Sequence, residues 1–222
     1  MESEEFDSVK KADIRRAVKR NYDVKNIIKG FGLVVSGTVS FYVLMINMPG
    51  FASKQLGMPI GTVLNIQIAV VAIMAVLIPL LGILGDKIGR KRVFIASTVA
   101  YFVLVMPLFK WVVGSSDTGN LLVMQGVLGI CLAGQFATMP TMLTLLFPVE
   151  SRVTSLSISY NLATMTFGGF SPFIVTWLSH EWGVIAPGYY MFGVSAISLA
   201  AAIFFPKDLK VMKTTTSCEL VK

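Results

Sequence analysis

Six stretches of this sequence, residues 30–50, 62–84, 93–112, 120–146, 155–178 and 187–205, are each long and apolar enough to cross a bilayer as a helix. A hydrocarbon core roughly 30 Å thick needs about 17 to 25 such residues. That pattern restricts the fold more than any other feature, because every backbone N–H and C=O in hydrocarbon must bond inside the protein, and a helix satisfies them within each segment. The expected class is all-α: a polytopic membrane domain over residues 30–205 with six transmembrane helices. Residues 1–29 read as a cytoplasmic amphipathic and basic segment, and 206–222 as a cytoplasmic tail. The third stretch has Lys110 near its end, and a lysine stem reaches back to the headgroups from there. With 55% hydrophobic and 14% charged residues, the chain lies outside what a soluble domain tolerates.

Charge placement sets the orientation. Seventeen of the nineteen Lys and Arg fall on one side: the run from Lys10 to Lys29, then Lys87, Arg90, Lys91 and Arg92, then Arg152, and the tail lysines. Only Lys54 and Lys110 fall on the other, so both termini are expected in the cytoplasm, in a cell inner membrane. The net charge of +7 is thereby a topology signal with lipid headgroups as partners, and nucleic acid is not expected as one. Residues 8–27, with Ile14, Val18 and Tyr22 at helical spacing, read as a helix lying on the inner surface, or as a solvated linker. The acidic-then-basic N-terminus lacks the apolar core and cleavage site of a signal peptide, so no cleavage is expected. Cys131 in a span and Cys218 in the tail are poorly placed for a disulfide.

Polar side chains within spans must bond inside protein or face water, which makes them the candidates for a solute cavity. In the first span Ser36, Ser40 and Asn47 fall on one face, with Thr38 and Tyr42 beside it. Gln135 and Thr138 share the face of Cys131 in the fourth, and Tyr160, Thr164 and Ser171 align next to Asn161 in the fifth. Ser40, Tyr42, Asn47, Gln135, Tyr160, Asn161 and Thr164 are the cavity candidates; hydrogen bonding between helices, or of Ser and Thr to their own backbone, is the competing reading. Gly129, Ala133 and Ala137 read as a packing stripe. Pro79, Pro107, Pro140 and Pro172 either bend a gate or relax at an interface. No Asp, Glu, Lys or Arg lies mid-span, so a residue that carries a driving proton is expected elsewhere, and His180 at the end of the fifth span reads as interfacial. Metal-ligand clusters, a phosphate-binding loop and a nucleophile–base pair are all missing from the sequence, so neither an enzyme nor a cofactor is expected.

Between the second and third spans lies GDKIGRKR, and with Gly82 it reads Gly82-x-x-x-Asp86-Lys87-x-Gly89-Arg90-Lys91. This turn resembles the signature loop of the major facilitator superfamily of transporters. Leu145–Ile174, with Phe147, Pro148, Arg152, Tyr160, Asn161, Gly169 and Pro172, resembles the approach to the eleventh helix in the metabolite:proton symporter family. GTVSFYVLMINMPGF from Gly37 is similar to that family's seventh helix, and APGYYMF from Ala186 to its entry into the twelfth. Glu2–Phe6 echoes an element that follows the sixth helix, and the proline/betaine transporter branch is the nearest in pattern.

The resemblance implies the C-terminal half, helices 7 to 12, of a twelve-helix carrier whose two halves rock about a midplane site. Each half is a pair of inverted three-helix repeats. It also implies a cytoplasmic gate at Gly82, Asp86, Lys87, Gly89, Arg90, Lys91, Glu150 and Arg152. There Asp86 faces a helix start in the other half and Arg90 faces a carboxylate, for which Glu150 is the candidate. Many members have Glu where this chain has Leu145, and the long coiled-coil tail of some proline/betaine transporters is not in the sequence. The expected function is proton-gradient-driven symport of a small polar organic solute, a zwitterion or carboxylate, together with a complementary N-terminal half. A non-transporting six-helix remnant or structural protein, and a self-sufficient homodimer, are the alternatives.

Overall fold

The computed structural model describes residues 24–147 and 151–205. Ile14, Val18, Tyr22, Pro148, Glu150, Cys218 and the tail lie outside the described residues. The described chain is a bundle of antiparallel helices joined by very short turns. Helix α1 (Val24–Leu56) ends at Gly57, whose φ of 68° is the left-handed conformation that a helix stop favours, and Met58 N–H bonds back to Ala52 O at 3.1 Å. Pro59 then opens α2 (Ile60–Ile88), where its fixed φ and missing N–H cost nothing. Gly89, at φ 104°, alone turns the chain into α3 (Arg90–Ser115), and Asp117 precedes α4 (Thr118–Leu146). After residue 151 come α5 (Arg152–Ala163), α6 (Ser171–Trp182) and α7 (Ala186–Ile203).

Among the described residues five helices, α1 to α4 and α7, are long and apolar enough to cross a membrane. Residues 155–178, the expected fifth span, lie within α5, a π-helical segment, Thr164–Gly169, and α6. Pro172 stands in the first turn of α6, where its missing N–H and fixed φ are tolerated. A second π-helical segment, Tyr42–Asn47, interrupts α1 just before Pro49. Pro79, Pro107 and Pro140 lie inside continuous α-helices.

Packing interlocks two sets of three. The first helix of one set, α1, packs mainly on α7 and α5; the first of the other, α4, packs mainly on α2 and α3. The sets also meet where α3 crosses α7 and α1 touches α4. Such mutual pairing is what two inverted three-helix repeats require. Close crossings use small residues. A Cβ on Gly129 would come within 2.9 Å of Val70, and one on Gly134 within 2.9 Å of Ser97 Cβ. The stripe that begins at Gly129 therefore serves α2–α4 packing. Tyr101, Phe94, Phe109, Leu44 and Leu128 fill the interior, while Ile68, Val76 and Ile83 of α2 point away from the bundle.

Candidate functional site

Polar chemistry concentrates in two regions, the charged turn at one end of the bundle and a groove beside the π segments. In the turn, Gly89 supplies the positive φ, and Gly85 is buried where a Cβ would sit 3.1 Å from Thr138 Cγ2. Asp86 Oδ1 accepts from Arg90 Nε at 2.7 Å, one helical turn along. Both partners are substantially exposed, so the pair contributes at most about 1 kcal/mol to folding. Glu150, the expected partner of Arg90, lies outside the described residues. Lys91 Nζ donates to Ile203 O at 3.3 Å and to Phe205 O, and lies 5.9 Å from the Phe205 ring centroid. A cation there satisfies carbonyls at the C-terminus of α7, where the helix dipole is negative. Lys87 is exposed, a Cβ on Gly82 would meet only Ala137 O at 4.0 Å, and Arg152 Nε donates to Phe147 O at 3.3 Å.

The groove has a volume of about 640 Å³ and is lined by Tyr42, Ile158, Asn161, Leu162, Thr164, Met165 and Gly169. It brings together three of the cavity candidates, Tyr42, Asn161 and Thr164. Tyr42 opens the π segment of α1, and Thr164 opens the one between α5 and α6. The Thr164 hydroxyl oxygen is buried and has no hydrogen-bond partner among the described residues. Gly168 lets the two segments meet, since a Cβ there would lie 2.9 Å from both Thr38 Cγ2 and Tyr42 Cε2. The groove thus offers a phenol and an amide on an otherwise apolar wall, the mixture a small polar solute needs for orientation, with the Thr164 hydroxyl buried behind that wall.

The other candidates sit elsewhere. Ser40 and Gln135 are fully buried, with Gln135 Oε1 facing Gly37 of α1. Tyr101, next to Ser40, donates to Met191 Sδ at 3.2 Å. The Ser36 hydroxyl and both amide atoms of Gln135 have no hydrogen-bond partner among the described residues. Asn47 Nδ2 donates to Ser171 Oγ at 3.3 Å amid tight packing by Val43, Phe51, Phe109 and Val175. Tyr160 is 41% exposed and lies beside the groove residues without lining it. Thr138 bonds its own helix, donating to Gly134 O at 2.9 Å.

Two residues with clear contacts were not among the site candidates. Gln67 Nε2 of α2 donates to Met45 O, and Tyr190 Oη of α7 donates to Phe167 O at 3.4 Å. The one signal for the first was Pro49, four residues after Met45, which leaves that carbonyl without its usual donor.

The profile of the Major Facilitator Superfamily matches residues 30–219. The chain is 27% identical to an ectoine/proline transporter, ProP, of Corynebacterium glutamicum, over 82% of this chain and 36% of that protein. It is 28% identical to a glycine betaine/proline/ectoine/pipecolic acid transporter, OusA, of Dickeya dadantii, over 81% of this chain and 36% of that protein. It is also 28% identical to a proline/betaine transporter of Escherichia coli K12, with the same coverage of 81% and 36%. The chain therefore spans about a third of the length of these relatives. With a match running from the start of the first apolar span past the end of α7, and with the charged turn and interlocked helices in place, this membrane chain belongs to the major facilitator superfamily.

Proposed function

We propose that this chain is one half of a proton-coupled symporter for a small zwitterionic or carboxylate solute, in a cell inner membrane with both termini and the charged turn in the cytoplasm. The observation that carries the reading is the groove: Tyr42 and Asn161 bring a phenol and an amide to a wall open on one side. A second six-helix half, on another chain or on a longer chain that contains this one, closes that side. Relatives named for proline, betaine and ectoine transport support the solute class, because those solutes pair a carboxylate with a cationic or amidine group. A phenol and an amide N–H donate to a carboxylate, and an aromatic face attracts a quaternary ammonium.

The spans described here hold no acidic or basic residue at mid-depth, so the proton carrier in this reading belongs to the complementary half. Asp86 and Arg90 belong to the cytoplasmic gate, together with Gly82, Lys87, Gly89, Lys91, Glu150 and Arg152. The test is uptake of labelled proline, betaine and a dicarboxylate into proteoliposomes, with and without a pH gradient, for the chain alone and with a complementary half. Gradient-driven uptake only with both halves supports the reading. Protonophore-sensitive uptake by the purified chain alone overturns the half-carrier reading, and no uptake of any of these solutes by the assembled pair overturns the solute class.

A further inference from the structure

Both π-helical segments stand next to the groove, and a proline follows each. Pro49 has no N–H, so the carbonyl of Met45, four residues earlier, has no α-helical partner. Gln67, buried on the facing side of α2, donates its amide to that carbonyl. In the second segment Tyr190 Oη donates from α7 to the carbonyl of Phe167 at 3.4 Å, just before Pro172. In both segments a carbonyl within the π turn thus accepts from a side chain of a neighbouring helix. Contact between the segments is direct, through Gly168 against Tyr42, and Asn47 of the first bonds Ser171 just beyond the second.

We infer that Gln67 and Tyr190 are positioning residues: each clasps one carbonyl of a π segment and together they hold Tyr42 and Thr164 on the groove wall. A π segment carries one residue more than the α-turn it replaces. Losing that extra residue rotates the helix on one side by about 100° relative to the other, which would carry Tyr42 off the wall. An unpaired carbonyl is costly at membrane depth, so a side-chain donor fixed at that point favours the wound-out register over its neighbours. Neither clasp lines the groove, so neither touches the solute. The clasps are a matter of backbone geometry, and only their effect on solute rests on the function proposed above.

Amide hydrogen exchange of the purified chain in nanodiscs tests the clasps directly, with Gln67→Met and Tyr190→Phe as the variants. Met keeps the length of Gln and suits an apolar helix; Phe removes one oxygen. Gln67→Met should speed exchange over residues 42–48 about tenfold, the change expected for one buried hydrogen bond. It should leave α4 unchanged. Tyr190→Phe should do the same over residues 164–170, and it carries the test by itself where Gln67→Met fails to insert. Unchanged exchange in the matching segment, or equal acceleration throughout the chain, overturns the inference. In the assembled carrier each variant should raise KM for solute several-fold with little change in kcat, and an unchanged KM alongside faster exchange overturns the positioning role. If the wild-type carrier moves no zwitterion, the proposed solute class fails while the exchange result still decides the clasps.

Discussion

Gly168→Ala and Gly169→Ala are neighbouring single-methyl additions in one helical segment, and the structure gives them opposite signs. At Gly168 the added Cβ would lie 2.9 Å from Thr38 Cγ2 and from Tyr42 Cε2, and 3.2 Å from Tyr42 Cδ2. At Gly169 the nearest heavy atom is Thr164 O, at 4.0 Å. Carbon pairs sit best at about 3.5 Å or more, so Gly168→Ala must open its contacts by roughly 0.6 Å. Thr38 is 7% exposed and β-branched, so it has little freedom to yield. The Tyr42 ring can swing, but only into the groove that it lines.

Overpacking of this kind costs about 1 to 3 kcal/mol, while replacing Gly by Ala in a helix returns roughly 0.5 to 1 kcal/mol. Gly168→Ala should therefore destabilise by about 1 to 2 kcal/mol, and Gly169→Ala should be neutral or stabilise by up to about 1 kcal/mol. Unfolding in mixed micelles, followed by the fluorescence of Trp111, Trp177 and Trp182, measures both. Thr38→Ser removes Cγ2 and should restore most of the stability lost in Gly168→Ala. It should not restore solute affinity, because the Tyr42 contact remains. Equal midpoints for the two alanine variants, or no rescue by Thr38→Ser, would refute the steric argument.

Two further outcomes follow from the charged turn. Asp86→Asn breaks an exposed pair with Arg90 and should change unfolding by less than about 1 kcal/mol, yet cut transport in an assembled carrier if the turn biases the equilibrium between open states; normal uptake by this variant removes the functional role. Cysteines placed at Lys54, Asp117 and Glu181 should react with an impermeant maleimide in intact cells, and one at Asp86 only after permeabilisation; labelling of the Gly85–Arg92 turn from outside defeats the orientation.

The helices themselves were legible because length and hydropathy are all that a bilayer asks of a span, and Gly57, Gly89 and Pro59 stand where the chain turns. The groove was legible only in part, and the reason is periodicity. Ser40 and Asn47 are seven residues apart, which in an unbroken α-helix returns to nearly the same face. The π segment Tyr42–Asn47 lies between them and adds a residue's rotation, about 100°, so the two leave a common face. Ser40 turns into the bundle interior near Tyr101, whereas Asn47 bonds Ser171. The same slip separates Thr164 from Ser171 across the second π segment, while Asn161 and Thr164 bracket the end of α5 and still reach the groove together. A proline in sequence signals that a carbonyl has lost its donor, but the side chains that reach carbonyls of these segments, Gln67 and Tyr190, come from other helices. Helical spacing along one strand of sequence carries no information about which neighbour supplies it, so the face of a polar residue beyond a proline-linked π segment is decided by a tertiary contact.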